Sequence, residues 1–168
     1  MRDLVAGILA AVLLGAALSL VTTLQAYRRR RQQARAAEEA LGRTIIAELP
    51  TDPELTLVTA DNTHFHYGRQ AIEKADITAV RVLINGSPIA SYESSRCPAA
   101  ETSQATSFDD RPEGIARDRW DVAVETRSGT TLIECGAIRE RVSQELARKI
   151  FDAIRIDLER HDAGYARG

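Results

Sequence analysis

A long apolar stretch near the N-terminus constrains this chain more than any other feature. Residues 4–26 contain no charged side chain, and four arginines follow at once, at positions 28–31. As a helix, at ~1.5 Å per residue, the stretch would be about 34 Å long, which exceeds the roughly 30 Å hydrocarbon core of a bilayer. A helix also satisfies its own backbone hydrogen bonds within lipid. The sequence therefore predicts a transmembrane anchor with a basic flank over residues 1–31.

Two alternatives compete with an anchor: a cleaved signal peptide and a helix buried in a soluble core. A signal peptide carries its positive charge before an apolar run of about 7–15 residues. Here Asp3 offsets Arg2 at the front, and the arginine cluster comes after a longer run. This arrangement favours a single membrane span over both alternatives.

The arginine cluster also predicts an orientation and a lipid contact. Lys and Arg are retained on the cytoplasmic side of a span. We therefore expect a single-pass inner-membrane protein with its N-terminus outside and its C-terminal domain in the cytoplasm. Basic residues at a membrane surface attract anionic headgroups by about 1 kcal/mol each. The predicted headgroup contacts are Arg28, Arg29, Arg30 and Arg31.

Small residues recur every fourth position in the apolar stretch and would share one helix face. Small side chains let two membrane helices approach closely, although an alanine-rich stretch also produces such stripes by chance. The pattern predicts a packing face for homo- or hetero-oligomers, formed by Gly7, Ala11, Gly15 and Ser19.

The rest of the chain is acidic. Residues 1–31 hold five of the 22 Lys and Arg residues and one of the 24 Asp and Glu residues, which leaves a net charge of −6 beyond position 31. Phosphate binding needs basic patches, so we expect no nucleic-acid partner. The chain has two cysteines, Cys97 and Cys135, which are expected to be free thiols in the cytoplasm and could pair in an oxidising compartment.

Beyond the anchor, the sequence predicts one domain at 50–162, between a helical stalk at 32–49 and a tail at 163–168. Ala, Glu, Arg and Leu favour a helix in the stalk, and prolines end it. Alternating apolar residues then predict seven strands, with a helical turn at 75–77. The strands are predicted at 55–60, 63–67, 70–73, 79–85, 88–93, 120–126 and 131–135.

Two further segments complete the domain. The polar stretch 94–117 predicts a long mobile loop inserted between strands. Residues 138–160 predict an amphipathic helix, because large apolar residues recur at steps of four. That stripe consists of Val142, Leu146, Ile150, Ile154 and Leu158.

This order resembles the pleckstrin-homology-like domains found in many bacterial membrane proteins. The resemblance rests on residues 67–82, 125–133 and 142–158, and would cover 55–160. Lys74-Ala75 stands where that family usually has an aromatic residue. The resemblance implies an α+β, mainly β fold: a seven-stranded antiparallel barrel or sandwich capped by the C-terminal helix, behind the transmembrane helix. It also implies a binding or assembly module. A phosphoinositide site is not implied, because the first hairpin, 59–63, has no basic residue.

No group of residues predicts catalysis or a cofactor. His64 and His66 share one strand face and could hold zinc or copper, but further ligands are missing nearby. Asp109, Asp110 and Glu113 could bind a hard cation, yet they lie in the polar loop, where solvated acids are expected. Cys135 follows an apolar strand, which favours a buried thiol over a nucleophile.

The sequence thus predicts a membrane-anchored module that binds another protein at the inner face of the membrane. The expected surfaces are the sheet edges, where a peptide can add as a strand, and the long loop. Two alternatives remain open: a structural subunit recruited through its span, and an envelope protein that faces away from the cytoplasm. A weaker third hypothesis is an enzyme or metal carrier that uses the two histidines.

Overall fold

The computed structural model describes residues 2–50, 55–95 and 118–165, which form two units, 1–42 and 43–168. The first unit contains one helix, α1, at Arg2–Ala40. This helix continues without a break through the arginine cluster. It ends in a turn at Gly42, whose φ of 73° lies in the left-handed region that favours glycine at a helix C-terminus.

The predicted transmembrane anchor is not supported. Among the residues that the structure describes, no helix is long and apolar enough to cross a membrane. On this finding the transmembrane prediction is wrong. The predicted single-pass inner-membrane location and orientation depend on it and are therefore wrong as well.

The predicted helical stalk at 32–49 is helical only as far as Ala40, because residues 44–50 form a strand, β1. In this strand Ala47 and Leu49 are buried in the core of the second unit. The burial of these two side chains outweighs the helix propensity of the stretch, which is a weak preference per residue.

The described residues of the second unit form eight antiparallel strands in two sheets, one strand more than predicted, so the fold class is α+β. Sheet A has the order β1-β2-β3-β4, and sheet B has the order β6-β5-β7-β8. A 3₁₀ turn, Lys74–Asp76, joins the sheets where a helical turn was predicted. The strands are β1 (Thr44–Pro50), β2 (Leu55–Ala60), β3 (His64–Tyr67), β4 (Gln70–Glu73), β5 (Ile77–Ile84), β6 (Ser87–Glu93), β7 (Arg119–Thr126) and β8 (Gly129–Ala137).

Local sequence explains the tight hairpin between β5 and β6. Asn85 and Gly86 have φ values of 53° and 78°, the conformation that a two-residue hairpin turn requires at both central positions. The Asn85 side chain also accepts a hydrogen bond from the backbone N–H of Arg119 at 3.2 Å. The turn therefore also connects to the start of β7.

Helix α2, at Arg141–Tyr165, packs one face into the same core as both sheets. Val142 does not belong to this face, since it lies in the first helical turn and is 61% exposed. The other predicted stripe residues are buried or half-buried. The most deeply buried core side chains include Leu49, Val58, Ile77, Val80, Val122, Val124, Ile133, Ile150, Ile154 and Leu158.

Candidate binding surface

The two edges of sheet B differ. The β8 edge lies close to β1 of sheet A. Tyr67 of β3 lies close to Glu134 of β8 there, and burial raises the pKa of that tyrosine. Ile133 and Cys135 of β8 are each 1% exposed. We call this side of sheet B the closed edge.

At the other side, β6 pairs with β5 and with no other strand in the described ranges 2–50, 55–95 and 118–165. Just beyond β6, the backbone N–H of Ser94 donates to the carbonyl of Thr78 at 2.8 Å. Backbone groups of an antiparallel strand alternate in direction, so Tyr92 faces β5, whereas Ser91 and Glu93 point their N–H and C=O groups away from it. We call this side the open edge.

The N-terminal half of β6 is protected against strand addition. Val82 pairs with Ala90 and Leu83 pairs with Pro88, which leaves Ile89 as an extra residue in a bulge. A bulge and a proline, which lacks an N–H, are two of the ways in which proteins block edge strands. The Ile89 side chain is 55% exposed. The pairing groups that β6 offers are therefore confined to its C-terminal half.

A charged network lies beside that half. Arg81 of β5 donates from Nε to Glu125 at 2.7 Å and from a terminal nitrogen to Glu93 at 3.0 Å. Arg81 is 20% exposed in its side chain, but Glu93 is 49% exposed. The Glu93 carboxylate is therefore held in place by the arginine and still accessible from the open edge.

The end of β6 is fixed to helix α2 by Asp162. This carboxylate accepts hydrogen bonds from the Ser94 hydroxyl at 2.8 Å and the Ser95 backbone N–H at 3.0 Å. The Tyr92 hydroxyl is a longer donor, at 3.4 Å, and its pKa is raised by burial and by the Asp162 charge. These contacts hold the C-terminal half of β6 in a fixed position on the domain.

Among the described strands, β4 pairs only with β3 and so forms an edge of sheet A, but it has only four residues. The turn that follows is locked to α2, because Lys74 donates to Asp157 at 2.9 Å and lies 4.8 Å from the centroid of the Phe65 ring. Lys74 is 8% exposed. It thus lies buried against the core and joins this turn to the helix.

The two histidines lie together on β3, with ring centroids 5.9 Å apart. Asp61 accepts hydrogen bonds from His66 Nε2 at 2.7 Å and from the backbone N–H groups of Thr63 and His64 at 2.8 and 2.7 Å. These bonds hold the pKa of Asp61 well below its usual range, with His66 the largest cause. Within the described part of the chain, no group of three or more His, Cys, Asp and Glu residues could hold a metal ion.

Sheet B also carries a buried carboxylate that the sequence analysis missed. Asp121 is 4% exposed, and its Oδ2 accepts a hydrogen bond from Arg119 Nε at 3.0 Å. Arg119 also contacts Glu134 at 2.8 Å. Burial raises the pKa of Asp121 in spite of the arginine. The sequence does place Arg119 and Asp121 two positions apart on one strand face. The burial of Asp121, however, depends on the neighbouring strands.

Other predicted residues are placed as follows. Cys135 is buried as predicted, and burial raises the pKa of its thiol to about 12. Cys97 and the loop acids at 109, 110 and 113 lie outside the described residues.

On α1, Gly15, Ser19 and the arginines at 28–31 are exposed, and the side chains at 7 and 11 are not among those described. The proposed packing and headgroup roles of these α1 residues stay predictions. The headgroup role was inferred from the predicted membrane anchor, which is not supported.

Comparisons with protein-family models, curated proteins and solved structures found no match to this chain. The resemblance to pleckstrin-homology-like domains therefore stays a prediction.

Proposed function

We propose that the chain is a protein-binding module and that the open edge of sheet B receives an extended segment of the partner. The observation that carries this proposal is the outward direction of the backbone groups of Ser91 and Glu93 on an edge strand. Main-chain pairing of this kind supplies affinity in β-strand addition, while neighbouring side chains supply specificity.

Three features of the described residues favour this edge over the others. The β8 edge lies against β1, and β4 is short. The C-terminal half of β6 is held in place by Asp162 before any partner arrives, so binding requires little ordering of this strand. The binding or assembly role implied by the pleckstrin-homology-like resemblance is consistent with this proposal.

The test removes one outward N–H without touching the fold. In Ser91→Pro the lost N–H points away from β5, and proline is tolerated on edge strands when its nitrogen faces solvent. Ser91→Ala is the matched control, because it removes the hydroxyl and keeps the N–H. The full-length chain and both variants are immobilised and compared for proteins retained from an extract of the native cell.

The proposal predicts that proteins retained by the wild-type chain are also retained by Ser91→Ala and are lost with Ser91→Pro. Circular dichroism and the midpoint of thermal unfolding should show that both variants fold. Retention of the same partners by a folded Ser91→Pro variant would show that this edge is not the binding site.

A further inference from the structure

The charges around the open edge indicate which kind of segment would bind there; this step depends on the proposed function. We infer that the partner strand runs antiparallel to β6 and carries a lysine or arginine across from Glu93. An extended peptide with a basic residue at this position is therefore the partner class that fits β6.

The first support is the excess of negative charge at the C-terminal end of β6. Glu93 is 49% exposed. Glu159 and Asp162 of α2 both lie close enough to act electrostatically on Tyr92, the residue before Glu93. A partner that approaches this end of the strand therefore meets the exposed Glu93 carboxylate, and Glu159 lies nearby.

Two cations in the described part of this region, Arg81 and Arg155, are each shared between two acids. Arg81 contacts both Glu93 and Glu125, at 3.0 and 2.7 Å. Arg155 lies 3.4 Å from Asp152 and 3.8 Å from Glu159. Among the described residues, the group formed by Arg81, Glu93 and Glu125 therefore has one more acidic than basic side chain. An added cation would gain attraction, whereas an added anion would be repelled.

The second support is the pairing geometry. The groups of Glu93 point outward, so a partner residue would lie directly across from it, with side chains about 5 Å apart at Cβ. Opposite charges in such pairs are favourable and like charges are unfavourable. Antiparallel pairing is the commoner and slightly more stable arrangement.

The test uses three fluorescent nine-residue peptides of alternating threonine and valine. They differ at their third position, which holds lysine, glutamine or glutamate. Anisotropy titrations against the full-length chain give each dissociation constant, at low salt and at about 0.5 M salt, where exposed charge interactions are screened. The Glu93→Gln variant is the matched control, because it removes the charge and keeps the side-chain shape.

The lysine peptide should bind about fivefold or more tightly than the glutamate peptide at low salt, in keeping with cross-strand charge pairs. This preference should shrink in high salt and in Glu93→Gln, while the glutamine peptide should bind the wild-type chain and Glu93→Gln equally.

If all three peptides bound the wild-type chain equally and Ser91→Pro abolished the binding of each, the charge preference would be overturned. The proposed function would then still stand. If no peptide bound at millimolar concentration, both would be overturned. Binding that Ser91→Pro does not weaken would likewise contradict both, since it would place the peptide elsewhere.

Discussion

The two edge strands of sheet B, β6 and β8, were both predicted from the sequence as strands, but their surroundings differ. At the closed edge, β8 lies near β1, and its inward side chains are buried. At the open edge, β6 has β5 on one side, and the backbone groups of Ser91 and Glu93 point away from the sheet. This difference teaches that a neighbouring strand limits access to one edge, whereas the other edge uses a bulge and a proline and leaves its last residues able to pair.

The largest expected difference between the edges is in stability. Leu49→Ala removes a side chain that is 1% exposed in β1, next to the closed edge, and should lower the free energy of unfolding by about 2–5 kcal/mol. Ile89→Ala at the open edge should change it by less than about 0.5 kcal/mol. Urea unfolding of the full-length chain measures both. Equal losses would show that β1 does not close the core.

Thiol reactivity is the second contrast. Burial raises the pKa of Cys135 to about 12, against roughly 8.5 for a free thiol. In a Cys97→Ser background, Cys135 should therefore react with iodoacetamide at pH 8 more than about a thousandfold more slowly than a cysteine placed by Ser91→Cys. Mass spectrometry follows both rates. Comparable rates in the folded chain would show that Cys135 is not buried in the core.

Proline substitutions at adjacent positions test the direction of the β6 backbone. Ala90→Pro removes an N–H that faces β5 and leaves a carbonyl unpaired, at a cost on the order of 1–3 kcal/mol. Ser91→Pro removes an outward N–H and should cost less than about 1 kcal/mol. Thermal unfolding compares the two variants. A larger loss for Ser91→Pro would reverse the assigned backbone directions.

The smallest effect is expected on sheet A, away from both edges. The pKa of Asp61 is lowered in the folded state, mainly by His66, so its contribution to stability is present above the unfolded value of about 4 and is lost as the pH falls below it. Between pH 4 and 2.5, the unfolding temperature of the wild-type chain should fall more than that of Asp61→Asn. Parallel curves would show that the Asp61 hydrogen bonds do not stabilise the fold. Peptide binding at β6 should be the same for Asp61→Asn as for the wild-type chain.

The sequence predicted much of the domain, because alternation and turn residues are local signals. Seven strands, the turn at 75–77 and helix α2 were found within a few residues of their predicted positions. The strand at residues 44–50 was not predicted, since Ala, Glu and Leu favour a helix. The burial of Leu49, which favours the strand, is not visible in the local sequence. The transmembrane prediction relied on one apolar stretch and is contradicted by the described part of α1.

The candidate surface was predicted only in outline. Sheet edges were expected to bind, but the sequence does not say which strand lies at an edge. Here β5 pairs with both β6 and β7, so the chain order of the strands differs from their order in the sheet. Contacts between distant residues, such as Lys74 with Asp157 and Ser94 with Asp162, fix the shape of the surface. No local pattern reveals them.

Amide hydrogen exchange at β6, followed by NMR on the full-length chain, tests the central claim most directly. In the free protein, the amides of Ala90 and Tyr92 should exchange slowly, and those of Ser91 and Glu93 should exchange fast. Saturation with the lysine-containing peptide should slow Ser91 and Glu93 and leave Tyr92 unchanged. Ser91 and Glu93 amides that are already slow in the free protein, or that stay fast in the saturated complex, would contradict the account.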